Sequence, residues 1–235
     1  MRIFMMAIRL FLKTPYYFIR IWWCSINERV SYEEGFRIAK KATIAANRAG
    51  KVTIEAIGVE NIPKEKGFIL FPNHQGLYDV LAFLESCPVP FAFVIKKEAS
   101  RIILLKQMIA ALGSEVIDRE DIKQSLEIIK KVTEEVKKGR NFLIFAEGTR
   151  SKEGNKVHDF KGGSFKSAVK AMCPIVPCAL IDAYKPFDEK SVQPLTVKVI
   201  YLEPLYYEEY KSMKTVEIAA IVKMRIEQAI KENLD

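Results

Sequence analysis

Residues 68–79 read Phe68-Ile-Leu-Phe-Pro-Asn-His-Gln-Gly-Leu-Tyr-Asp79. The apolar run 68–71 predicts a buried strand, which the following proline ends. A turn at Gln75-Gly76 and a helix over residues 79–84 are expected next. His74 would then lie in a strand-to-helix elbow, where a rigid scaffold presents side chains to solvent.

His74 and Asp79 are close enough in sequence to interact, but not within one regular helix. There they would point about 140° apart, because each residue advances roughly 100°. They can meet only if His74 lies outside the helix and bends back over its first turn. A carboxylate at a helix start is favoured by the helix dipole, and it could hold one ring nitrogen while the other accepts a proton. The alternative is a polar turn with an unrelated histidine.

Four further motifs lie on or beside other predicted strands. Phe145-Ala-Glu-Gly-Thr-Arg-Ser151 ends the apolar strand 141–146, and Val94-Ile-Lys-Lys-Glu98 ends another. Gly113-Ser-Glu-Val-Ile-Asp-Arg119 adds a basic group after a short apolar run. Cys173-Pro-Ile-Val-Pro-Cys178 is itself a predicted buried strand. Together with the His-x4-Asp elbow, these motifs resemble the glycerolipid acyltransferase family, and within it most closely the lysophosphatidic acid acyltransferases.

The resemblance covers about residues 50–205 and keeps the family's order of motifs. His-x4-Asp by itself is a weak signal, whereas its combination with Glu-Gly-Thr-Arg is strong. Three positions depart from the family pattern: Gly76 where Ser is frequent, Ala146 in place of Pro, and Ala99 in place of Leu. None of them removes a charged or proton-carrying group, so they bear on acceptor preference and packing more than on activity.

The resemblance implies transfer of a fatty acyl chain to the sn-2 hydroxyl of lysophosphatidic acid, making phosphatidic acid in phospholipid biosynthesis. The donor is a thioester of coenzyme A or of acyl carrier protein, used as co-substrate. Because a thioester is already activated, the main task is to deprotonate the acceptor hydroxyl, for which general bases typically gain 10²–10⁴-fold. His74 and Asp79 are the predicted catalytic pair. We find no Gly-x-Ser-x-Gly nucleophile elbow, and neither a cofactor nor a metal is expected.

The acceptor's phosphate requires positive charge, and Arg150 is the first candidate because a guanidinium binds phosphate bidentately. Lys97 and Arg119 match the family's other basic positions, although each could equally be an ordinary solvated residue. Glu147 is expected to orient Arg150 or its loop, and His158 to lie on the surface. The candidate substrate-binding residues are Lys97, Arg119, Glu147, Gly148, Thr149 and Arg150.

Composition and charge agree with a folded protein that meets an anionic partner. The 235 residues are 49% hydrophobic and 28% charged, which excludes a disordered chain and a polytopic membrane protein. The formal net charge of +8 suits an anionic substrate or lipid surface. Nucleic acid would also suit it, but the basic residues align with apolar faces instead of forming a polar groove. The four cysteines, in apolar surroundings, are expected to be buried free thiols.

Residues 1–29 have the most unusual composition. Arg2, Arg9, Lys13 and Arg20 fall within roughly 40° on a helical wheel, and almost everything off that stripe is apolar. No uncharged run approaches the ~20 residues that span a bilayer. A basic stripe opposite an aromatic-rich face is typical of a helix lying in the membrane interface, kinked or split at Pro15. A core-covering helix and a start-transfer anchor are the alternatives.

A second helix is predicted over residues 32–49, with a capping box at Ser31 and Glu34. Residues 1–50 would form a two-helix membrane-docking arm, and residues 51–235 the acyltransferase domain. The arm places the protein at the cytoplasmic face of the cell membrane, as a peripheral or monotopic protein that meets an anionic phospholipid surface.

Beyond the arm, predicted strands alternate with predicted helices. Such alternation predicts an α/β fold with a mixed, mostly parallel sheet flanked by helices, and the resemblance implies the same. The loops at the carboxyl ends of the strands would carry the site. Further strands are predicted at 52–56, 91–95, 116–117, 175–180 and 197–202, and further helices at 99–112, 122–138, 165–172 and 216–230.

Two other functions remain open from the sequence. A glycerol 3-phosphate or a different lysophospholipid could be the acceptor for the same chemistry. A non-catalytic protein could instead hold anionic lipid with its basic arm and an apolar groove, but His74, Asp79 and Arg150 argue against that alternative.

Overall fold

The computed structural model describes residues 1–101 and 105–234. The strands in this part of the chain are β1 Val52–Ile57, β2 Ile69–Pro72, β3 Ala92–Lys96, β4 Glu115–Ile117, β5 Phe142–Leu143, β6 Ile175–Ile181 and β7 Leu195–Tyr201. They form one sheet in the order β1-β7-β6-β2-β5-β3-β4. Every pairing is parallel except that of β6 with β7. The predicted mixed, mostly parallel sheet is confirmed.

The helices follow the predicted alternation. In the described residues they are α1 Arg2–Arg9, α2 Thr14–Ile26, α3 Tyr32–Gly50, α4 Asp79–Ser86, α5 Leu105–Ala111, α6 Ile122–Lys137, α7 Lys166–Ala171, α8 Lys185–Asp188, α9 Tyr207–Tyr210 and α10 Thr215–Asn233. The sequence analysis missed α8 and α9, because four residues are too few to show a helical period. The helix predicted over 99–112 is a 3-10 turn at Ala99–Arg101 followed by α5, and residues 102–104 lie outside the described residues.

Each face of the sheet has its own hydrophobic core, because successive strand residues point to opposite faces. Leu70 joins Phe36 of α3, Phe83 of α4 and Met108 of α5 on one face. Its neighbours Ile69 and Phe71 pack on the other face, with α6, α7 and α10. The helices therefore form two layers around the sheet.

The strand predicted over residues 141–146 is shorter in the structure. Phe142 and Leu143 pair with both β2 and β3, and the N–H of Ile144 still reaches Leu70 O at 2.9 Å. The chain then leaves the sheet, and the carbonyl of Ala146 accepts a hydrogen bond from the N–H of Lys161 instead. This departure brings the following loop to the carboxyl end of β2.

The N-terminal segment is split as Pro15 predicted: α1 ends at Arg9, and Pro15 lies in the first turn of α2. The capping box at the start of α3 is only half formed. The Ser31 hydroxyl accepts a hydrogen bond from the N–H of Glu34 at 3.3 Å, but the Glu34 carboxylate binds Arg20 and Arg37. The pair with Arg20 ties α2 to α3.

The stripe of basic residues does not lie wholly at the surface, because Arg2 is buried. Arg2 is 1% exposed and donates to the carbonyls of Gly50, Gln193 and Ser191, at 2.5, 2.8 and 3.1 Å. Arg9 donates to the carbonyl of Ala49 at 2.9 Å, and Arg20 pairs with Glu34. The three arginines of the stripe are therefore held by the protein, Arg9 and Lys13 remain exposed, and the apolar face is turned outward.

The arm also packs into the domain. Met6, Ile21 and Cys24 are buried in the same core as α3. Gly50 permits this contact, since a Cβ there would come within 2.2 Å of the Met6 methyl carbon. Among the described helices, none is both long and apolar enough to cross a bilayer. The division of the chain at residue 50 stays a prediction.

Candidate active site

His74 and Asp79 meet at the elbow between β2 and α4. His74 lies beyond the end of β2, and Asp79 is the first residue of α4, so the intervening turn folds the ring back over the helix start. His74 Nδ1 lies 2.7 Å from Asp79 Oδ2. An ionised carboxylate only accepts hydrogen bonds, so Nδ1 carries the proton. Nε2 then has a lone pair and no hydrogen-bond partner among the described residues.

Asp79 is itself held by the backbone. Its side chain is completely buried, and its oxygens accept hydrogen bonds from the N–H of Gln75 at 2.7 Å and the N–H of Gly76 at 3.0 Å. These two backbone N–H groups fix the position of the carboxylate at the start of α4. Gly76, which stands where the family often has serine, thus helps to hold Asp79 through its backbone N–H.

Two other side chains position the imidazole ring. Phe145 stacks on His74 with ring centroids 4.1 Å apart. Glu147, which is buried, accepts from the N–H of His74 at 2.7 Å and from the N–H of His158 at 3.1 Å. Burial raises the pKa of the Glu147 carboxyl. Glu147 was expected to orient either Arg150 or its own loop. It ties the loop to the elbow and binds backbone groups instead of Arg150.

The elbow is also tied to the end of β6 by amides that the sequence analysis did not single out. Asn73 exchanges two hydrogen bonds with the backbone of Leu180, at 2.7 and 3.0 Å. Gln75 accepts from the N–H of Ala183 at 2.6 Å and donates to Asn155 and to the carbonyl of Leu180. Both residues are buried. Their position on either side of His74 in the sequence could have identified them as residues that support the site.

Arg150 lies on the surface beyond the elbow. Its side chain is 43% exposed, and Nη1 lies 3.4 Å from Asp188 Oδ2 in α8. The partner Asp188 could not be recognised from the sequence, since it is 38 residues away. His158 lies on the surface as predicted, with Nε2 3.2 Å from Glu153 Oε1.

Lys97 and Arg119 lie at the carboxyl ends of β3 and β4, on the same edge of the sheet as His74. The Lys97 ammonium lies 2.8 Å from Asp118 Oδ2, and this hydrogen bond lowers the pKa of the Asp118 carboxyl. Partial desolvation lowers the pKa of the Arg119 guanidinium. These two residues follow neighbouring parallel strands, while Arg150 lies against α8.

A cavity of about 300 Å³ lies between Arg119 and Phe145, the residue that stacks on His74. The cavity is also lined by Gly148. Its wall on α6 is apolar and includes Ile129 and Val132. Lys161 also lines it, packed against Gly148, which has a left-handed φ of +80°. Lys161 forms no ion pair among the described residues. The sequence analysis did not single out Lys161, because no local pattern shows that its N–H bonds to the carbonyl of Ala146.

The arrangement defines a site with a tautomer-locked histidine, a buried carboxylate, basic groups and an apolar cavity. A sequence model of the acyltransferase family matches residues 53–181, more than half of the chain and the span that carries this site up to Lys161. The chain belongs to the acyltransferase family.

Individual relatives carry a more specific name. The chain is 32% identical over 147 residues to a 1-acyl-sn-glycerol-3-phosphate acyltransferase of Helicobacter pylori, covering 58% of this chain and 62% of that protein. It is 30% identical over 165 residues to one of Salmonella typhimurium, covering 70% and 67%. For a third, from Borreliella burgdorferi, the identity is 32% over 129 residues, covering 55% of this chain and 51% of that protein. The chain thus spans between half and two thirds of the length of these curated relatives.

A solved structure has the same fold. The crystal structure of the 1-acyl-sn-glycerophosphate acyltransferase PlsC from Thermotoga maritima superimposes with a TM-score of 0.75 at 24% identity, covering 97% of both chains. This likeness includes the N-terminal helices as well as the sheet.

Proposed function

We propose that this chain transfers a fatty acyl group from a thioester of coenzyme A or acyl carrier protein to the sn-2 hydroxyl of lysophosphatidic acid. Membership of the acyltransferase family and the names of the relatives support this reaction class. The single observation that carries the proposal is the 2.7 Å contact of His74 Nδ1 with Asp79, whose carboxylate is buried and held by two backbone N–H groups.

The reaction follows from that geometry. Asp79 keeps the proton of His74 on Nδ1, so Nε2 accepts the proton of the acceptor hydroxyl as its oxygen attacks the thioester carbonyl. The new C–O bond forms, the C–S bond breaks, and the leaving thiolate takes this proton from Nε2, which restores the neutral imidazole. The stack on Phe145 and the hydrogen bond from the His74 N–H to Glu147 hold the ring in place during transfer.

The acceptor's phosphate is proposed to bind Arg150, with Gly148 and Thr149 offering backbone N–H groups. Because Asp188 already contacts Arg150, the phosphate must compete with that carboxylate. Lys97 and Arg119 at the neighbouring strand ends, with Lys161, supply further positive charge beside the cavity. The apolar cavity between the sheet and α6 has walls suited to an acyl chain.

The arm is proposed to dock the protein on the membrane that holds the acceptor. Its outward face is apolar, although a soluble protein rarely exposes a large contiguous apolar patch. Side chains of this kind insert into the boundary between headgroups and acyl chains. The exposed residues are Ile3, Phe4, Ile8, Phe11, Leu12, Tyr16, Phe18, Ile19, Trp22, Trp23 and Ile26.

The proposal is tested by incubating the purified protein with lysophosphatidic acid or glycerol 3-phosphate, each with acyl-coenzyme A and acyl-carrier-protein donors, and measuring thiol release and product. We expect phosphatidic acid from lysophosphatidic acid and little product from glycerol 3-phosphate. Preference for glycerol 3-phosphate would change the acceptor. No thiol release with any pair would leave a lipid-binding protein and overturn the enzymatic proposal.

A further inference from the structure

A second basic site lies where the hinge between α1 and α2 crosses α3. A shallow cleft of about 540 Å³ opens there, with basic side chains from three parts of the chain at its sides. Arg9 ends α1, Lys13 precedes α2, and Lys41 and Arg48 belong to α3. Lys41 and Arg48 are seven residues apart, so they lie on one face of the helix.

No acidic residue lines this cleft. Lys13, Lys41 and Arg48 form no ion pair among the described residues, and Arg9 spends one N–H on the carbonyl of Ala49. The other arginines of the arm are compensated, Arg2 by three carbonyls and Arg20 by Glu34. Four converging cations without a counterion produce a strongly positive potential that attracts an anion.

The walls of the cleft indicate what kind of anion fits. Leu10 and Ile44 give it an apolar side, and the adjoining hinge residues Phe11 and Leu12 are 74% and 88% exposed. If Phe11 and Leu12 insert into the acyl region of a bilayer, the neighbouring cations come to the level of the phosphates. An amphiphile with an anionic head matches this arrangement better than a free ion does.

We infer that the cleft between the α1–α2 hinge and α3 binds the phosphate headgroup of an anionic phospholipid of the bilayer. This inference rests on the proposed docking of the arm. The site is distinct from the substrate cavity, because α3 packs on one face of the sheet and α6, which lines the cavity, packs on the other. The bound lipid would fix the arm against the domain and set how deeply the protein sits.

The test measures binding of the full chain to vesicles of phosphatidylcholine alone and to vesicles that also contain phosphatidylglycerol. The variant Lys41→Gln/Arg48→Gln removes two cations of the cleft. Its matched control, Lys123→Gln/Lys130→Gln, removes two cations at the same spacing on α6, on the opposite face of the sheet. Each basic residue beside an anionic leaflet contributes on the order of fivefold to partitioning.

We expect the cleft variant to lose about tenfold or more in binding to anionic vesicles, with unchanged binding to phosphatidylcholine and unchanged turnover of dispersed short-chain substrate. The control should keep the wild-type preference for anionic vesicles. Equal loss in both variants would mean diffuse attraction and overturn the site, as would no loss in the cleft variant. If inorganic phosphate displaced the protein more than chloride does at equal ionic strength, the cleft would bind soluble phosphate and the lipid assignment would be wrong. Failure of wild-type protein to bind either vesicle would refute the docking proposal itself.

Discussion

The catalytic elbow buries polar groups, whereas the N-terminal arm exposes large apolar side chains. At the elbow, polar groups are buried and each finds a partner: Asp79 accepts from two backbone N–H groups, and Asn73 pairs with Leu180. In the arm, large apolar side chains such as Phe11 and Trp23 remain exposed, while Arg2 is buried on three carbonyls. The polar groups of the elbow thus have their hydrogen-bond partners within the protein, whereas the apolar side chains of the arm are not covered by other parts of it.

This difference implies that the elbow carries out the chemistry and the arm binds the membrane, and kinetics can separate these two roles. A change at the elbow should damage turnover on every form of substrate, because the chemistry is local. A change on the outward face of the arm should matter only when the substrate lies in a bilayer. The following predictions test this separation.

The largest effect is expected from His74→Ala. Removal of the base should lower turnover by about 10²–10⁴-fold on vesicle-bound and on dispersed substrate alike, with the fold retained. Steady-state kinetics on both substrates, with circular dichroism, measure this. His158→Ala is the matched control and should stay near wild type, because the His158 side chain pairs with Glu153 on the surface. Turnover of His74→Ala within a few-fold of wild type would rule out His74 as the base.

The next largest effect is expected from Phe11→Ser/Leu12→Ser. Burial of each such side chain in an apolar medium contributes up to about 1.5–3 kcal/mol, so vesicle binding should fall on the order of a hundredfold. Turnover on dispersed short-chain substrate should hardly change. Ile122→Ser/Met224→Ser replaces exposed apolar residues on α6 and α10 and should leave both properties unchanged. Equal losses on both substrates would show that the hinge belongs to the catalytic core.

Substitution of these exposed residues is a sharper test than deletion of the arm. Ile21 and Met6 are 2% and 8% exposed, so deletion would uncover part of the core on one face of the sheet. A loss of activity on deletion would therefore not separate docking from folding, whereas the outward-face variant does.

Arg150→Ala should weaken the acceptor more than the donor. Loss of a charge-assisted contact costs about 1.5–3 kcal/mol, or roughly ten- to a hundredfold in kcat/KM for the acceptor. Arg225→Ala, on the surface of α10, serves as the control. The KM values for the two substrates decide the outcome. A rise in the donor KM alone would assign Arg150 to the phosphates of the acyl carrier.

Glu147→Gln should destabilise the loop that supports the elbow. A glutamine has one acceptor oxygen, so one of the two buried N–H groups loses its partner, at a cost of about 1–3 kcal/mol in the free energy of unfolding. Glu153→Gln, on the surface of the same loop, is the control. Unfolding in denaturant measures both, and equal stability of the two variants would contradict the role of Glu147.

The same pair of variants has a predicted pH signature. Burial raises the pKa of Glu147 above its ordinary value of 4.5, so the folded state holds this proton more tightly than the unfolded chain does. Its contribution to stability is thus present below 4.5 and is lost as the pH rises through the raised pKa. Glu147→Gln should remove this component of the pH dependence, whereas Glu153→Gln should keep it.

The smallest effect is expected from Asp188→Asn. The exposed pair with Arg150 is worth at most about 1 kcal/mol, so its removal should strengthen acceptor binding by no more than a few-fold. The acceptor KM at low and high salt measures this. A weaker acceptor would instead mean that Asp188 orients Arg150 for binding.

Much of the fold could be predicted from the sequence, because its long elements have clear periods. The strands and long helices beyond residue 50 and the split at Pro15 all came from local patterns. The same patterns missed the four-residue helices α8 and α9 and extended the strand at 141–146. Those features depend on where the chain must leave the sheet, which no short window of sequence reports.

The sequence by itself determined that His74 could reach Asp79 only outside a regular helix, and that the arm has one basic and one apolar side. Both follow from residue spacing, which the chain carries locally. Only the tertiary structure decided which way the arm faces, because hydrogen bonds from Arg2 to carbonyls near residues 50 and 190 bury that end of the basic stripe. It also decided that Glu147 supports His74 and that Lys161 lines the cavity. These contacts join residues far apart in the chain, and packing of distant elements is what a local pattern does not contain.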